Sequence, residues 1–273
     1  MSNYPDPVAD GLARGWRVVD ASRAPIPDEL DVDVIVVGSG AGGGTTAEVL
    51  ARHGLAVLIV EEGPLKSSRD FRMREAEALP ALYQESGARK TDDKAINILQ
   101  GRCVGGSTTV NWTSSFRTPA ATLGFWQQRL GLVDYDGEQL ADWFAQVERR
   151  LSIGPWLVPP NRNNDLLRLG AARLGIPAAA IMRNVSQCAN LGYCGMGCPT
   201  NAKQSMLVTT VPAALDAGAT LFTRARAARL ALAGGRADAL EVHWLDAEGL
   251  RPSGRVTRVR ATHFVLSGGA INS

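Results

Sequence analysis

Residues 31–64, DVDVIVVGSGAGGGTTAEVLARHGLAVLIVEEGP, place a complete strand, turn, helix and strand unit near the front of the chain. The apolar run Val32, Val34, Ile35, Val36 and Val37 enters a G-x-G-x-x-G turn at Gly38, Gly40 and Gly43. A helical pattern follows with Ala47, Leu50 and Ala51 on one face, and Gly54 is suited to end it. A second apolar run, Ala56–Val60, then delivers Glu61, 23 positions after Gly38. This is the chemistry of a dinucleotide clamp. Gly38 permits the tight turn, Gly40 lets the backbone approach a pyrophosphate at the helix N-terminus, and Gly43 lets helix and strand pack closely. Glu61 stands where a carboxylate accepts hydrogen bonds from an adenosine ribose. The plain alternative is a glycine-rich turn without a ligand. Both strands, the helix stop and the acid together favour the clamp.

The bulk properties narrow the rest. A chain of 273 residues, 45% hydrophobic, can bury a sizeable core in one large domain or two small ones. Its net charge of +2, from 29 basic and 27 acidic residues, gives no case for nucleic-acid binding. The N-terminus lacks the basic and apolar regions of a signal peptide, and no apolar run is long enough to span a bilayer, so the expected location is cytoplasmic. Residues 1–30 read as a proline-rich arm with one short helical piece around Gly11 to Val18. Leu12, Trp16 and Val19 form a stripe that either packs on the chain's own domain or lies peripherally on a membrane or a partner.

Beyond the clamp, Ser67 to Gly87 is helix-prone, with Met73, Ala76, Leu79, Leu82 and Tyr83 facing inward and Pro80 breaking it. Ala95 to Leu99 is a short strand candidate leading into a second glycine-rich segment, GRCVGGSTTVNW from Gly101 to Trp112. Adjacent glycines followed by three hydroxyl residues can present N–H and O–H donors to a polar ligand, although such a segment is often only a turn.

The clamp with Glu61, the segment G-R-C-V-G-G-S-T-T-V-N and the ending VLSGGAINS resemble the glucose-methanol-choline oxidoreductases, which bind FAD and oxidise alcohols. The phrases NWTSSFRTP and GYCGMGCPTNAKQS resemble the long-chain fatty alcohol oxidase branch and related bacterial dehydrogenases. The resemblance implies an α/β, Rossmann-like FAD-binding fold with a parallel sheet, interleaved with part of a substrate domain and incomplete C-terminally. Its parts would be the arm 1–30, an FAD-binding part 31–119, a helical substrate-domain part 120–200 with the cysteine cluster, and a second FAD-binding part 201–273. Gly105, Gly106, Ser107 and Asn111 would lie along the flavin ring and pyrophosphate, Ala227 near the adenine, and Gly269 at the next close approach. The chain departs from the family pattern twice. Ser115 takes the place of an aromatic, with Phe116 one later, and Val110 stands where some members carry the His that tethers FAD, which implies a non-covalent cofactor.

Within 120–180 the pattern predicts helices at Asp136 to Leu151, with Leu140, Trp143, Phe144 and Val147 inward, and at Asn164 to Leu174. Cys188, Cys194 and Cys198 form a local cluster. Three thiols without C-x2-C spacing do not complete an ordinary zinc site, and the final Cys-Pro is similar to one iron–sulfur pattern. Some FAD sugar dehydrogenases of the resembled family carry a three-iron cluster there, with a cysteine where this chain has Ala189. The alternative is a tightly packed loop, with or without a Cys194–Cys198 disulfide. Cys103 reads as a packing residue.

The last third predicts a helix from Lys203 to Gly218 and strands at Thr220 to Thr223, Arg229 to Leu232, Ala239 to Leu245 and Val256 to Leu266. Neither His53, at a helix end, nor His243 and His263, on strands, offers a base for alcohol oxidation. No catalytic residue is therefore expected before Ser273, and the chain reads as an N-terminal fragment. The resemblance implies a small-molecule alcohol, long-chain by the branch it favours, hydride transfer to FAD, a catalytic His further on, and an electron acceptor that is oxygen, a quinone or a cytochrome. The competing readings are a truncated binding module without activity, an iron–sulfur FAD dehydrogenase, and a nicotinamide enzyme, against which the second glycine segment argues.

Overall fold

The computed structural model describes residues 4–20, 22 and 25–273. Among them the chain runs α1 (Pro7–Ala13), β1 (Arg17–Asp20), β2 (Glu29–Val37), α2 (Ala41–Arg52), β3 (Val57–Glu61), α3 (Glu75–Leu82), α4 (Ser107–Val110) and β4 (Ser114–Ser115). It continues α5 (Ala120–Leu130), α6 (Ala141–Arg150), β5 (Ile153–Gly154), α7 (Arg162–Arg173), β6 (Met182–Asn184), α8 (Thr210–Asp216), β7 (Thr220–Thr223), β8 (Ala225–Ala233), β9 (Arg236–Leu245) and β10 (Pro252–Leu266). Two compact units result, one of residues 1–112 with 188–273, the other of residues 113–187, so the cysteine segment falls in the first.

The first unit is built on a seven-stranded sheet in the order β1-β7-β3-β2-β10-β9-β8. Pairing is parallel from β1 through β10, while β9 and β8 add antiparallel. The fold is thus α/β with a mainly parallel sheet. The sequence VLIVE of β3 is buried at every position, as a central parallel strand with both faces covered requires. Ile35, Leu58, Phe222, Leu240 and Trp244 form the core on one face. Trp244 tilts against Phe222 with ring centroids 4.8 Å apart, and its indole N–H is satisfied by Thr257 Oγ1 at 2.8 Å.

The expected arm is part of this sheet. β1 pairs in register with β7 from Arg17↔Thr220 to Asp20↔Thr223, and Val19 packs against the core. The helix predicted around Gly11 to Val18 instead spans Pro7–Ala13, because Asp6 caps it and the chain turns at Gly15 before the strand begins. Leu12, Trp16 and Val19 therefore share no helical face. Residues 1–3, 21, 23 and 24 of the predicted arm lie outside the described residues. Asp6 Oδ1 accepts from Val8 N at 3.2 Å and Ala9 N at 3.1 Å, and Oδ2 accepts from Ser68 Oγ at 3.1 Å. Asp6→Ala is expected to cost about 1–2 kcal/mol in urea unfolding; a midpoint equal to the unsubstituted protein's would show that the cap contributes nothing.

Three other expectations are corrected. Ala95 to Leu99 makes only an isolated bridge, Lys90↔Asn97, with Ile96 62% exposed; its main chain bonds instead within the 89–100 loop, Ile96 O accepting from Thr91 N and Ile98 N donating to Arg89 O. Only Thr210–Asp216 of the predicted 203–218 helix is helical, since Lys203 to Thr209 is drawn into side-chain and turn bonds. In α3 the buried residues are Ala78 and Leu82, followed by Tyr83, while Met73 and Ala76 are exposed.

The second unit holds α5, α6 and α7 and a small antiparallel sheet in the order β4-β6-β5. Helix α5 was not expected from the pattern. Trp143 and Val147 of α6, predicted inward, are 64% and 44% exposed. Arg117 instead covers the face beside Phe144, paired with Glu148 through two bonds of 2.7 Å. No helix among the described residues is long and apolar enough to cross a membrane.

Candidate functional site

At the carboxyl end of β2 the chain turns through Gly38 into α2. Gly38 has φ +95°, and a Cβ on it would lie 2.4 Å from the carbonyl oxygen of Ser267, just past β10. A Cβ on Gly43 would lie 1.9 Å from the carbonyl oxygen of Gly38, so α2 is seated directly on the strand end. The first turn of α2 is capped by no side chain and lines a cleft of about 610 Å³. Its volume is in the range that holds a small-molecule cofactor, and a helix N-terminus on its wall offers N–H groups and positive potential to an anion.

The second glycine segment meets the first backbone to backbone. Gly106 adopts φ +54°, and a Cβ there would stand 2.8 Å from Gly40 Cα. Ser107 Oγ accepts from Gly101 N at 3.0 Å, closing the loop on itself.

Seven of the ten predicted cofactor residues line the cleft: Gly38, Gly40, Glu61, Gly106, Ser107, Ala227 and Gly269. Gly43, Gly105 and Asn111 are not among the lining residues: Gly43 packs on Gly38, Gly105 N donates to Ser39 Oγ, and Asn111 O accepts from Lys203.

Glu61 is buried and turns its carboxylate onto the protein. Oε2 accepts from Ser39 N at 3.0 Å and Ser39 Oγ at 2.6 Å, and Oε1 accepts from Gly63 N at 2.8 Å. Ser39 Oγ in turn accepts from Gly105 N at 3.0 Å, so one carboxylate ties together three turns. Burial pushes the Glu61 carboxyl above the usual range despite these donors. Its neighbour Glu62 also lines the cleft, with Oε1 held by Arg102 Nε at 2.8 Å and an Arg226 guanidinium nitrogen at 3.0 Å. Burial opposes the charge of Glu62, but the two guanidinium groups outweigh it and hold the carboxyl below the usual range.

Sequence reasoning missed Ser39, Glu62, Arg102, Arg226 and Lys203. For Lys203 a signal existed: it is one of four lysines among 29 basic residues, beside the cysteine phrase. The other four gain their roles from partners distant in sequence.

Cys103 is buried, and that burial, with Glu61 nearby, pushes its thiol up to about 12, which suits packing rather than nucleophilic attack. Cys188, Cys194 and Cys198 are free thiols, and no three His, Cys, Asp or Glu side chains among the described residues converge as a metal site. The cysteine loop is instead held by Lys203 on Cys194 O and by Cys198 Sγ against Thr200 Oγ1 at 3.5 Å. None of the three histidines lines the cleft. His53 Nδ1 meets Val49 O at 2.7 Å, and His243 Nε2 meets Glu241 Oε1 at 2.7 Å.

Comparison with known proteins gives matches over most of the chain. Residues 79–273 match the GMC oxidoreductase family, and residues 33–101 match an FAD binding domain. An uncharacterized GMC-type oxidoreductase of Mycobacterium tuberculosis is 35% identical over 99% of this chain and 44% of its own length. A long-chain-alcohol oxidase of Arabidopsis thaliana is 31% identical over 75% of this chain and 27% of its own length. Among solved structures, a formate oxidase superposes with TM-score 0.64 at 16% identity, covering 89% of this chain and 46% of that one. The pyridoxine 4-oxidase from Mesorbium loti gives TM-score 0.63 at 19% identity over 87% of this chain and 49% of that one. At such identities the structures speak for the fold alone. The chain spans less than half the length of these relatives.

Proposed function

The chain belongs to the GMC oxidoreductase family and carries an FAD-binding domain, and we propose that its cleft holds FAD for the oxidation of an alcohol. One observation carries the reading: two glycine turns meet across Gly40 and Gly106 beside the uncapped first turn of α2, so closely that a Cβ on Gly106 would stand 2.8 Å from Gly40 Cα. Gly40–Gly42 would hold the pyrophosphate, Glu61 and Glu62 would face the adenosine with Ala227, and Gly106 and Ser107 would face the flavin. When bound, FAD supplies the acceptor for a hydride from the alcohol carbon. The residues of this chain bind and orient it, and none of its histidines is assigned the removal of the alcohol proton.

Similarity to long-chain-alcohol oxidases supports a long-chain alcohol as substrate and oxygen as electron acceptor. Val110, directly before Asn111, offers no imidazole for a covalent link, so the cofactor is held non-covalently.

Titration of the purified chain with FAD tests the reading. The expected result is saturable quenching of flavin fluorescence, with all flavin released on acid precipitation. Flavin that stayed with the precipitate would overturn the non-covalent assignment, and absence of binding would overturn the cofactor assignment. Alcohols of graded chain length, assayed on protein extended to its relatives' length with oxygen and artificial acceptors, test the substrate.

A further inference from the structure

We infer that Lys203 is a positioning residue for the cofactor cleft, holding the 105–111 loop in its cleft-facing conformation and coupling it to the turn at Cys194. This rests on the reading of the cleft as an FAD site. Lysine is rarely buried without compensation, yet Lys203 is only 3% exposed. Its ammonium donates to Thr109 O at 2.8 Å, Asn111 O at 2.6 Å and Cys194 O at 2.6 Å. Three N–H donors thus meet three main-chain acceptors.

Two of those carbonyls lie at the C-terminal end of α4, where a helix leaves acceptors without helical partners. The other end of α4, Gly106 to Thr108, lines the cleft. The segment that carries Lys203 also grips that end: Met206 N donates to Thr108 Oγ1 at 3.0 Å, and Thr108 Oγ1 donates to Gly105 O at 2.6 Å. With four residues clamped at both ends, α4 moves only if residues 203–206 move. The third carbonyl brings in the cysteine loop, which Tyr83 also holds by donating its hydroxyl to Gly195 O at 2.6 Å.

A neutral side chain of similar length leaves the buried carbonyl of Thr109 and the partly buried carbonyls of Asn111 and Cys194 without these donors, and removes a positive charge from behind the cleft wall. The planar fork of arginine keeps the charge but does not reproduce the tetrahedral set of donors.

FAD titration and flavin potentiometry on Lys203→Met and Lys203→Arg, at a temperature where near-ultraviolet circular dichroism shows native packing, test the inference. Lys203→Met is expected to raise the FAD Kd roughly tenfold to a hundredfold and to make the midpoint potential more negative. Lys203→Arg is expected to restore the potential while leaving affinity reduced. A folded Lys203→Met protein with unchanged Kd and potential would overturn the inference and leave the FAD reading standing; failure of the unsubstituted chain to bind FAD overturns both. Should Lys203→Met not fold, hydrogen exchange on the unsubstituted protein decides. FAD is expected to slow exchange at 105–111 and at 194–203 together, and protection confined to 105–111 would overturn the coupling.

Discussion

Gly43→Ala is expected to destabilise the protein by about 3 kcal/mol or more and to abolish FAD retention. The added carbon would sit 1.9 Å from the carbonyl oxygen of Gly38 and 3.2 Å from Val36 Cγ1, so both close neighbours belong to the strand end and its turn. Neither can yield without shifting the helix off the sheet, and the first turn of α2 shifts with it. Gly42, one residue earlier, is the control for stability alone, since it lines the cleft. Its added Cβ would meet nothing closer than Ser267 Oγ at 3.5 Å, an ordinary contact. Gly42→Ala is therefore expected to be neutral or to stabilise by up to about 1 kcal/mol, through the lower entropy of the unfolded chain. Guanidinium unfolding of both variants checks the contrast, and flavin absorbance after gel filtration reads retention. Equal stability of the two proteins would mean that the helix is not seated where the packing places it.

The adjacency of these glycines also shows what a sequence can disclose. Gly38, Gly43 and the buried run Val57–Val60 are local: their roles follow from spacing along one strand-helix-strand unit, and the structure reproduces them. The strands β7 to β10 were legible for the same reason. Where elements take their identity from partners far away, the pattern misled. Val19 reads as a helical stripe until β7, some 200 residues later, supplies a parallel edge for it. Lys203 to Thr209 has helical periodicity, yet its lysine binds two carbonyls of a distant turn and one at Cys194, and Met206 N is taken by Thr108. The α6 pattern predicts a helix whose Leu140 and Phe144 are indeed half-buried, whereas Trp143 and Val147 are exposed, because apolar residues do not say which of them a neighbouring arginine covers.

In the site itself, residue types were legible and their division of labour was not. Gly105 and Asn111, expected to lie along the cofactor, are bonded to Ser39 and Lys203. The two glycine turns are therefore tied together by a back layer of bonds from Glu61, which itself lines the cleft, and from Lys203 behind it. Neither the G-x-G-x-x-G spacing nor the second glycine segment encodes that back layer, because each of its bonds joins segments separated by 22 to 94 residues, except for those to Gly63 and Cys194.

Glu61→Gln, which preserves shape and removes one acceptor, is expected to cost about 1–3 kcal/mol at low pH. The amide nitrogen of Gln must face either Gly63 N or the Ser39 pair, and each of those main-chain positions is a donor. The penalty depends on pH in a defined direction. Burial raises the Glu61 carboxyl above its ordinary value, so the folded protein retains a proton that the unfolded chain has released. Its contribution to stability is full below the unfolded value, and it declines as pH rises through the folded value. Glutamine does not titrate. The stability difference between the unsubstituted protein and Glu61→Gln is therefore expected to shrink as pH rises upward from the ordinary carboxylate range, while paired acids such as Glu62 and Asp20, held low in both proteins, cancel. Urea unfolding of both proteins over a series of rising pH measures it. A difference that grew with pH would mean that the hydrogen bonds from Ser39 and Gly63 outweigh burial, and that Glu61 is an ordinary ionised carboxylate under the clamp.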